Sequence, residues 1–514
     1  MSAGSLGGLA ERAFKWSAAT TLARFALQLG AQIVLARMLG PGNFGVYGIG
    51  MVVLTFAAFL SGSSFSWNLM LQPVISREDI RFSFTWQMIA GLLTAAAMYV
   101  AAPALARFFG NPQVEAMVQW MALASLLTAA AAPATLLLQR DMNFQAIGLV
   151  QLASYAAGYL AVGLPMALNG YGATSLAIAC VVQAGVALVL SYAAKPHPLK
   201  PLFAHSGAAA TLRTGRAVFF TNVVNWLLTN LDRVVIGRLL NAQAVGLYTV
   251  AYNFAAIPNT LLLGALQPAF MATGAKLQQE PQRLAQAWLL GLACILVLAL
   301  PAGVVLALLS ADLVALLYGP AWTETGWVLG LLFLCLPAWA CWGFSTPVLW
   351  NTGRKHLESL LQLPLLALAL PAWWLLTPYG IRMAAAVSVG VIFLRAAVII
   401  GAALRALGLG WSSVLPLAGR GLGLAAVGAG AVLAAQQASA GFASPAVPLL
   451  AGGFSALLAL LLLIGCFPAV LGPLARGALA RLVPALRLPE PAAAQATPPA
   501  RPPLGPLASP ESPR

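Results

Sequence analysis

The chain has 514 residues, of which 61% are hydrophobic and 8% charged, with mean hydropathy +0.88 and net charge +15. A soluble globular domain carries about 25% charged residues, so a soluble fold is excluded and an all-α polytopic membrane protein follows. The positive charge does not point to nucleic acid, because the basic residues stand singly between apolar runs, as orientation charges do.

A crossing helix needs about 20 apolar residues. In chain order such runs lie near 15–38, 45–66, 83–106, 115–138, 146–168 and 171–192. After the loop "KPHPLKPLFAHSGAAATLRTGR" they resume near 217–239, 245–270, 285–309, 325–350, 357–377, 381–404, 418–436 and 446–468. That is about 14 transmembrane helices. The expected organisation is an N-terminal six-helix bundle (1–192), a basic cytoplasmic linker (193–216), a C-terminal six-helix bundle (217–404) and two additional transmembrane helices (405–470). The Pro/Ala-rich segment 489–514 is expected to be a disordered cytoplasmic tail. The opening "MSAGSLGGLAERAFKW" has no cleavable signal, so the first apolar run is expected to remain as a span.

Charge asymmetry orients these helices. Of the 27 Lys and Arg, only Arg37, Arg107, Arg238 and Arg382 fall on one side, and Arg24, Arg233 and Arg395 lie within spans. The other twenty fall on the opposite side, which the positive-inside rule makes the cytoplasm, with both termini there. The five cysteines all sit in apolar runs and read as small buried hydrophobes. His197, His205 and His356 lie in loops, so no metal set and no cofactor motif is expected.

The chain also repeats itself. Shifting "ARMLGPGNFGVYGIGMVV" (36–53) by 201 positions places Arg37 on Arg238, Leu39 on Leu240, Gly45 on Gly246 and Tyr47 on Tyr248. Upstream, the same shift places Thr21, Arg24, Gln28 and Gln32 on Asn222, Asn225, Thr229 and Arg233. Positions spaced i, i+3, i+7, i+11 return to nearly one line along a helix, so each half is expected to carry a polar stripe. Gly40 aligns with Asn241, and both residue types suit a left-handed position past a helix end. Six spans separate the copies, so the halves point the same way. Such repeats mark transporters with a site between the halves near mid-membrane. A fainter echo aligns Pro133 and Arg140 with Pro347 and Arg354 after about a dozen added residues near 310–325.

Charges inside a membrane face a cavity or a partner. The expected cavity residues are Arg24, Gln28, Gln32, Asn222, Asn225, Thr229 and Arg233. Arg offers a fixed fork of donors suited to phosphate or an acidic sugar, and the amides suit hydroxyl-rich ligands. Asp232 has two readings, local compensation of Arg233 or a pair with Arg24. Arg395 is as readily a packing residue as a substrate residue.

The stretches "LARMLGPGNFGVYGIG", "LLLQRDMNFQAIG" and "NLDRVVIGRLLNAQAVGLYTVAYNFAAIP" resemble the polysaccharide-transporter family of Wzx-type lipid-linked oligosaccharide flippases. That family lies within the multidrug/oligosaccharidyl-lipid/polysaccharide exporter superfamily. The likeness covers about residues 10–400. It implies two bundles facing a central cavity, two further helices, and alternating access. The implied cargo is an undecaprenyl-pyrophosphate-linked oligosaccharide crossing the bacterial inner membrane for lipopolysaccharide, capsule or exopolysaccharide synthesis. Implied partners are membrane lipids, a glycan polymerase and export machinery. The cationic role falls on Arg24 and Arg233, with Arg37 and Arg238 behind them, and Asp232 is a candidate for cation coupling. The alternatives are a cation-coupled small-molecule exporter of the same superfamily and a membrane-embedded glycan polymerase or ligase. The short gaps argue against an enzyme; the longest outward one offers Asp312 and Glu324.

Overall fold

The structure, a computed structural model, describes residues 3–60, 75–204, 208–354, 356–442 and 444–482; side chains at 3–19, 21, 59–60, 208–222, 265, 356, 359 and 478–482 are outside the described set. The expected tail therefore lies outside the described residues. Every element among the described residues is a helix, so the backbone groups inside each are paired within their own segment, as a hydrocarbon environment requires. Its helices are α1 (Ala3–Leu60), α2 (Arg77–Phe109), α3 (Gln113–Arg140), α4 (Phe144–Leu168), α5 (Ala173–Ala194), α6 (Ala208–Leu239) and α7 (Ala242–Lys276). They continue as α8 (Pro281–Tyr318), α9 (Thr323–Phe333), α10 (Leu336–Asn351), α11 (His356–Leu376) and α12 (Ile381–Leu407), then α13 (Leu415–Ala438), α14 (Ala446–Cys466) and α15 (Gly472–Leu482). The chain is a multi-pass membrane protein.

Eleven described helices are long and apolar enough to cross a membrane, or twelve if the bent pair formed by Pro320–Phe333 and Leu336–Asn351 is one span. This differs from the expected fourteen. One reason is α1, which runs through two expected spans and breaks only at Gly40, where φ is 72° and ψ 169°. A straight helix would separate Gln28 from Thr55 by about 40 Å, yet both line one cavity, so the chain folds back at Gly40. The other is α6, whose Asn225, Thr229, Asn230, Asp232 and Arg233 lower its apolarity.

Four further expectations are corrected. The span near 285–309 continues to Tyr318, and the added residues end in a 3₁₀ turn that buries Trp322 completely. The span near 325–350 is broken and bent by 46° where Pro337 starts α10. Asn241 is not left-handed. At φ −172° it is extended and caps α7, its side chain accepting from the Ala244 N–H at 2.8 Å. The cysteines divide as well, for Cys335 and Cys341 are buried whereas Cys466 is exposed at the end of α14.

The repeat is visible in how the halves meet. A Cβ on Gly45 would run into the Ala242 carbonyl oxygen, and a Cβ on Gly246 into the Pro41 carbonyl oxygen. Since the 201-residue shift maps Pro41 on Ala242 and Gly45 on Gly246, this is one contact made twice about a pseudo-twofold axis. Only glycine permits backbones so close. Around it Phe44 packs edge-on to Trp322 at 6.0 Å, and the Arg238 Nη1 donates to the Phe108 carbonyl at 2.8 Å. Nearer the other end the halves touch through side chains: Trp226 lies 4.7 Å from Phe56, and its Nε1 donates to Thr55 Oγ1 at 3.1 Å. Helices α13 and α14 pack on each other and on α8.

Candidate functional site

Between these two closures lies a cavity of about 310 Å³. Its walls come from both halves: Gln28, Gln32 and Tyr47 of α1 and Tyr155 and Tyr159 of α4 face Asn230 and Arg233 of α6 and Thr249 and Asn253 of α7. Arg233 is 8% exposed. Its Nη1 donates to Asn230 Oδ1 at 2.8 Å, and its guanidinium carbon sits 4.1 Å from the centre of the Tyr252 ring. Stacking and one hydrogen bond thus fix the plane of the fork. Its Nε has no protein partner, nor do Gln32 Nε2 and Thr249 Oγ1 in the same cavity. An orphaned buried polar group costs about 1–3 kcal/mol, so a ligand that brings acceptors into this cavity would pair donors that the protein leaves without a partner.

The N-terminal half supplies aromatic rings instead of charge. Tyr155 and Tyr159 stack at 4.6 Å with planes 19° apart, and the Tyr159 hydroxyl shares a 2.6 Å hydrogen bond with that of Tyr47. The Tyr155 hydroxyl donates to the Gln28 carbonyl at 3.4 Å. Tyr159 lies in a π-helical stretch of α4, Ala156–Gly163, which begins just after Tyr155. Gly158 and Gly163 let α5 approach it closely, since a Cβ at either would collide with Ala179. A π segment turns its residues relative to an α-helix and often marks a functional site.

A second cavity of about 120 Å³ lies inside the C-terminal half, lined by Thr229, Asp232, Tyr252, Asn259, Trp342 and Arg395 among others. Asp232 accepts from the Tyr248 hydroxyl at 2.6 Å and from the Arg233 N–H at 2.7 Å. Arg395 donates from Nη2 to Asn225 Oδ1 at 2.7 Å and lies 3.7 Å over the Trp342 ring. Asp232 and Arg233 are neighbours about 100° apart on α6, so α6 is the partition and Tyr252 touches both sides of it.

The expected stripe is therefore split. Gln28, Gln32 and Arg233 come together in the central cavity. Thr229, the repeat partner of Gln28, faces the second cavity with its hydroxyl donating to the Asn225 carbonyl at 2.7 Å, and Asn225 holds Arg395. α6 is rotated relative to α1 and presents Asn230 and Arg233, three apart, where α1 presents Gln28 and Gln32. Arg24 does not pair with Asp232; its Nη1 donates to Gln151 at 2.8 Å on the α1–α4 seam. The Asn222 side chain lies outside the described residues. Arg37 and Arg238 are exposed at the Gly40 end. Asp312 accepts from Gln436 at 3.3 Å, and Glu324 accepts from Nη2 and Nε of Arg382 at 2.8 and 3.0 Å, so both carboxylates join helices.

Sequence reasoning missed Tyr155, Tyr159, Asn230, Thr249 and Asn253. Signals existed: Tyr155 and Tyr159 stand four apart, as do Thr249 and Asn253, and Asn230 is three before Arg233.

Residues 34–326 match the model of a family described as polysaccharide biosynthesis protein. The chain is 28% identical over 319 residues to the succinoglycan biosynthesis transport protein ExoT of Rhizobium meliloti (strain 1021), covering 62% of this chain and 64% of the relative. It is 25% identical over 323 residues to the lipopolysaccharide biosynthesis protein WzxC of Escherichia coli (strain K12), covering 62% and 65%. The matched region thus spans just under two thirds of these relatives' length. Among solved structures, the lipid II flippase MurJ in an inward closed conformation superposes with a TM-score of 0.68 at 14% identity, over 87% of this chain and 98% of the other. An inward-facing MATE-family multidrug transporter of the MOP superfamily gives 0.59 at 13% identity, over 74% and 94%. These two likenesses give the fold, and the family model covers more than half of the sequence: the chain belongs to the polysaccharide biosynthesis protein family.

Proposed function

We propose that this protein is a flippase that carries an undecaprenyl-pyrophosphate-linked oligosaccharide across the bacterial inner membrane by alternating access. The observation that carries the reading is the set of unpartnered donors on Gln32, Arg233 and Thr249 in a cavity shared by both halves. A pyrophosphate offers acceptors and charge to the Arg233 fork, and sugar rings offer hydroxyls to Gln28, Gln32, Asn230 and Asn253. The faces of sugars suit the tyrosine wall. With both termini cytoplasmic, as the charge bias indicates, the glycine crossing is the periplasmic closure and Trp226 with Phe56 the cytoplasmic one. Cargo is moved by opening these in turn. Asp232 at the back of Arg233 is the proposed coupling group: protonation or a cation there changes the charge behind the Arg233 wall. Arg24, and Asn222 and Asn225 on the cytoplasmic arm of α6, belong to the entry side. A glycan polymerase and export machinery are the proposed partners downstream. Relatives named for succinoglycan and lipopolysaccharide biosynthesis support this reading.

Deleting the gene in its host tests it. The expected result is accumulation of lipid-linked oligosaccharide and loss of surface or secreted glycan, both restored by the wild-type gene. Unchanged glycan with no accumulated intermediate rejects the proposal, and a changed drug susceptibility in its place favours the small-molecule exporter.

A further inference from the structure

Beside the central cavity runs a second, apolar groove of about 250 Å³ between α1 and α4. Ala26, Gly30 and Val34 form one side over about 12 Å of helix rise, and Leu160 and Leu164 form the other. Leu35 and Tyr159 line both this groove and the central cavity. Tyr159 is the border post. Its side chain lines both, stacked on Tyr155 and with its hydroxyl turned to Tyr47 on the polar side, a placement open to a side chain with an apolar body and a polar tip.

Gly30 lines the groove without a side chain to fill it. It lies inside a helix, where glycine costs about 0.5–1 kcal/mol relative to alanine. Close packing does not require it, since a Cβ there would meet nothing within 4 Å. Gly45 and Gly246 are different, for there backbone contact explains the glycine. Gly30 and Val34 are exposed in the protein itself, so the groove opens sideways. Below it the seam is closed by Arg24 with Gln151 and by Tyr155 with the Gln28 carbonyl.

We infer that this α1–α4 groove binds the hydrocarbon chain of the lipid-linked cargo while its headgroup occupies the central cavity. The inference rests on the flippase reading and adds a defined path for the lipid. A single molecule can reach both sites because they share Tyr159 and Leu35. A larger apolar groove of about 460 Å³ between α2 and α3, lined by Ala96 and Tyr99, shares no residue with the central cavity and serves as the control for ordinary bilayer lipid.

The test uses the full chain and two synthetic probes, a sugar pyrophosphate on a long polyisoprenyl chain and the same head on a short chain. The wild type binds the long-chain probe more tightly. Gly30→Leu brings the long-to-short affinity ratio toward one and leaves short-chain binding unchanged; Gly30→Ala does so partially, and Ala96→Leu keeps the wild-type ratio. A photoreactive residue at Val34 captures radiolabelled long-chain probe in competition with unlabelled probe, whereas one at Tyr99 captures only what bulk lipid predicts. A wild-type ratio in Gly30→Leu, or equal capture at Val34 and Tyr99, overturns the groove and leaves the flippase reading standing. Failure of the wild type to bind either probe overturns the flippase reading itself.

Discussion

Adding one methyl group at the glycine crossing should open one end of the molecule without unfolding it. At Gly45 the new Cβ meets the Ala242 carbonyl oxygen, and at Gly246 it meets the Pro41 carbonyl oxygen. Neither neighbour is a side chain that can swing away, because both are backbone. Overpacking of this kind costs about 1–3 kcal/mol. If the cost fell on the whole fold, stability would drop by that amount. In an alternating-access protein it falls only on the state in which this end is closed, so the equilibrium shifts by roughly 5–150-fold toward the state open there. Spin labels at Gly42 and Gln243, which are repeat equivalents exposed on either side of the crossing, report the separation. Gly45→Ala and Gly246→Ala should each deplete the short-distance population. The double variant should show less than the sum, since both substitutions relieve the same contact. An unchanged distance distribution in folded Gly45→Ala protein refutes the idea that this crossing is a closure.

Three further predictions follow from particular residues. Gly40→Asn should cost about 1–3 kcal/mol because φ 72° with ψ 169° suits glycine alone, whereas Asn241→Gly should cost only a few tenths; paired thermal melts of the two variants check this. Tyr159→Leu should weaken binding of a soluble oligosaccharide while sparing that of free pyrophosphate, with calorimetry on both ligands as the measurement. His197 is held between Phe84 and Tyr192 at 5.2 and 5.3 Å, and burial lowers its pKa. The neutral ring is therefore favoured by the fold, and stability of the 195–204 strap is full above the ordinary imidazole range and falls as pH drops toward the lowered value. Hydrogen exchange in that segment should rise on acidification in the wild type, and His197→Phe should remove the dependence.

The strap itself shows what a sequence can and cannot reveal. The basic loop was legible as a connection between halves, but not that Arg81 would hold it, donating to the Lys200 and Pro201 carbonyls at 2.9 and 3.1 Å. The repeat was legible because Gly45 and Gly246 must stay small for the same reason in each half. Their mutual contact was not, because a shift of 201 residues relates two segments without saying that they touch. Gln28, Gln32 and Arg233 were found by helical spacing. Thr229 and Asn225 were misplaced because spacing gives a face and not the rotation of a helix against its partner. The tyrosine wall was missed for a different reason. Hydropathy counts Tyr155 and Tyr159 as part of an apolar span, and only the packed fold shows that they line the central cavity.

The central claim is that Arg233 grips the charged head of a lipid-linked glycan that the protein moves between leaflets. Its direct test is reconstitution of the full chain into vesicles with a fluorescent polyisoprenyl-pyrophosphate oligosaccharide, reading the fraction accessible to an outside quencher over time. Wild-type protein should move the probe between leaflets. Arg233→Ala, inserted and folded, should be slower by roughly ten- to a hundredfold, as expected for loss of about 1.5–3 kcal/mol of charge-assisted hydrogen bonding, and Arg233→Lys should recover part of that loss. Wild-type vesicles no faster than protein-free ones, or Arg233→Ala as fast as the wild type, would contradict the account.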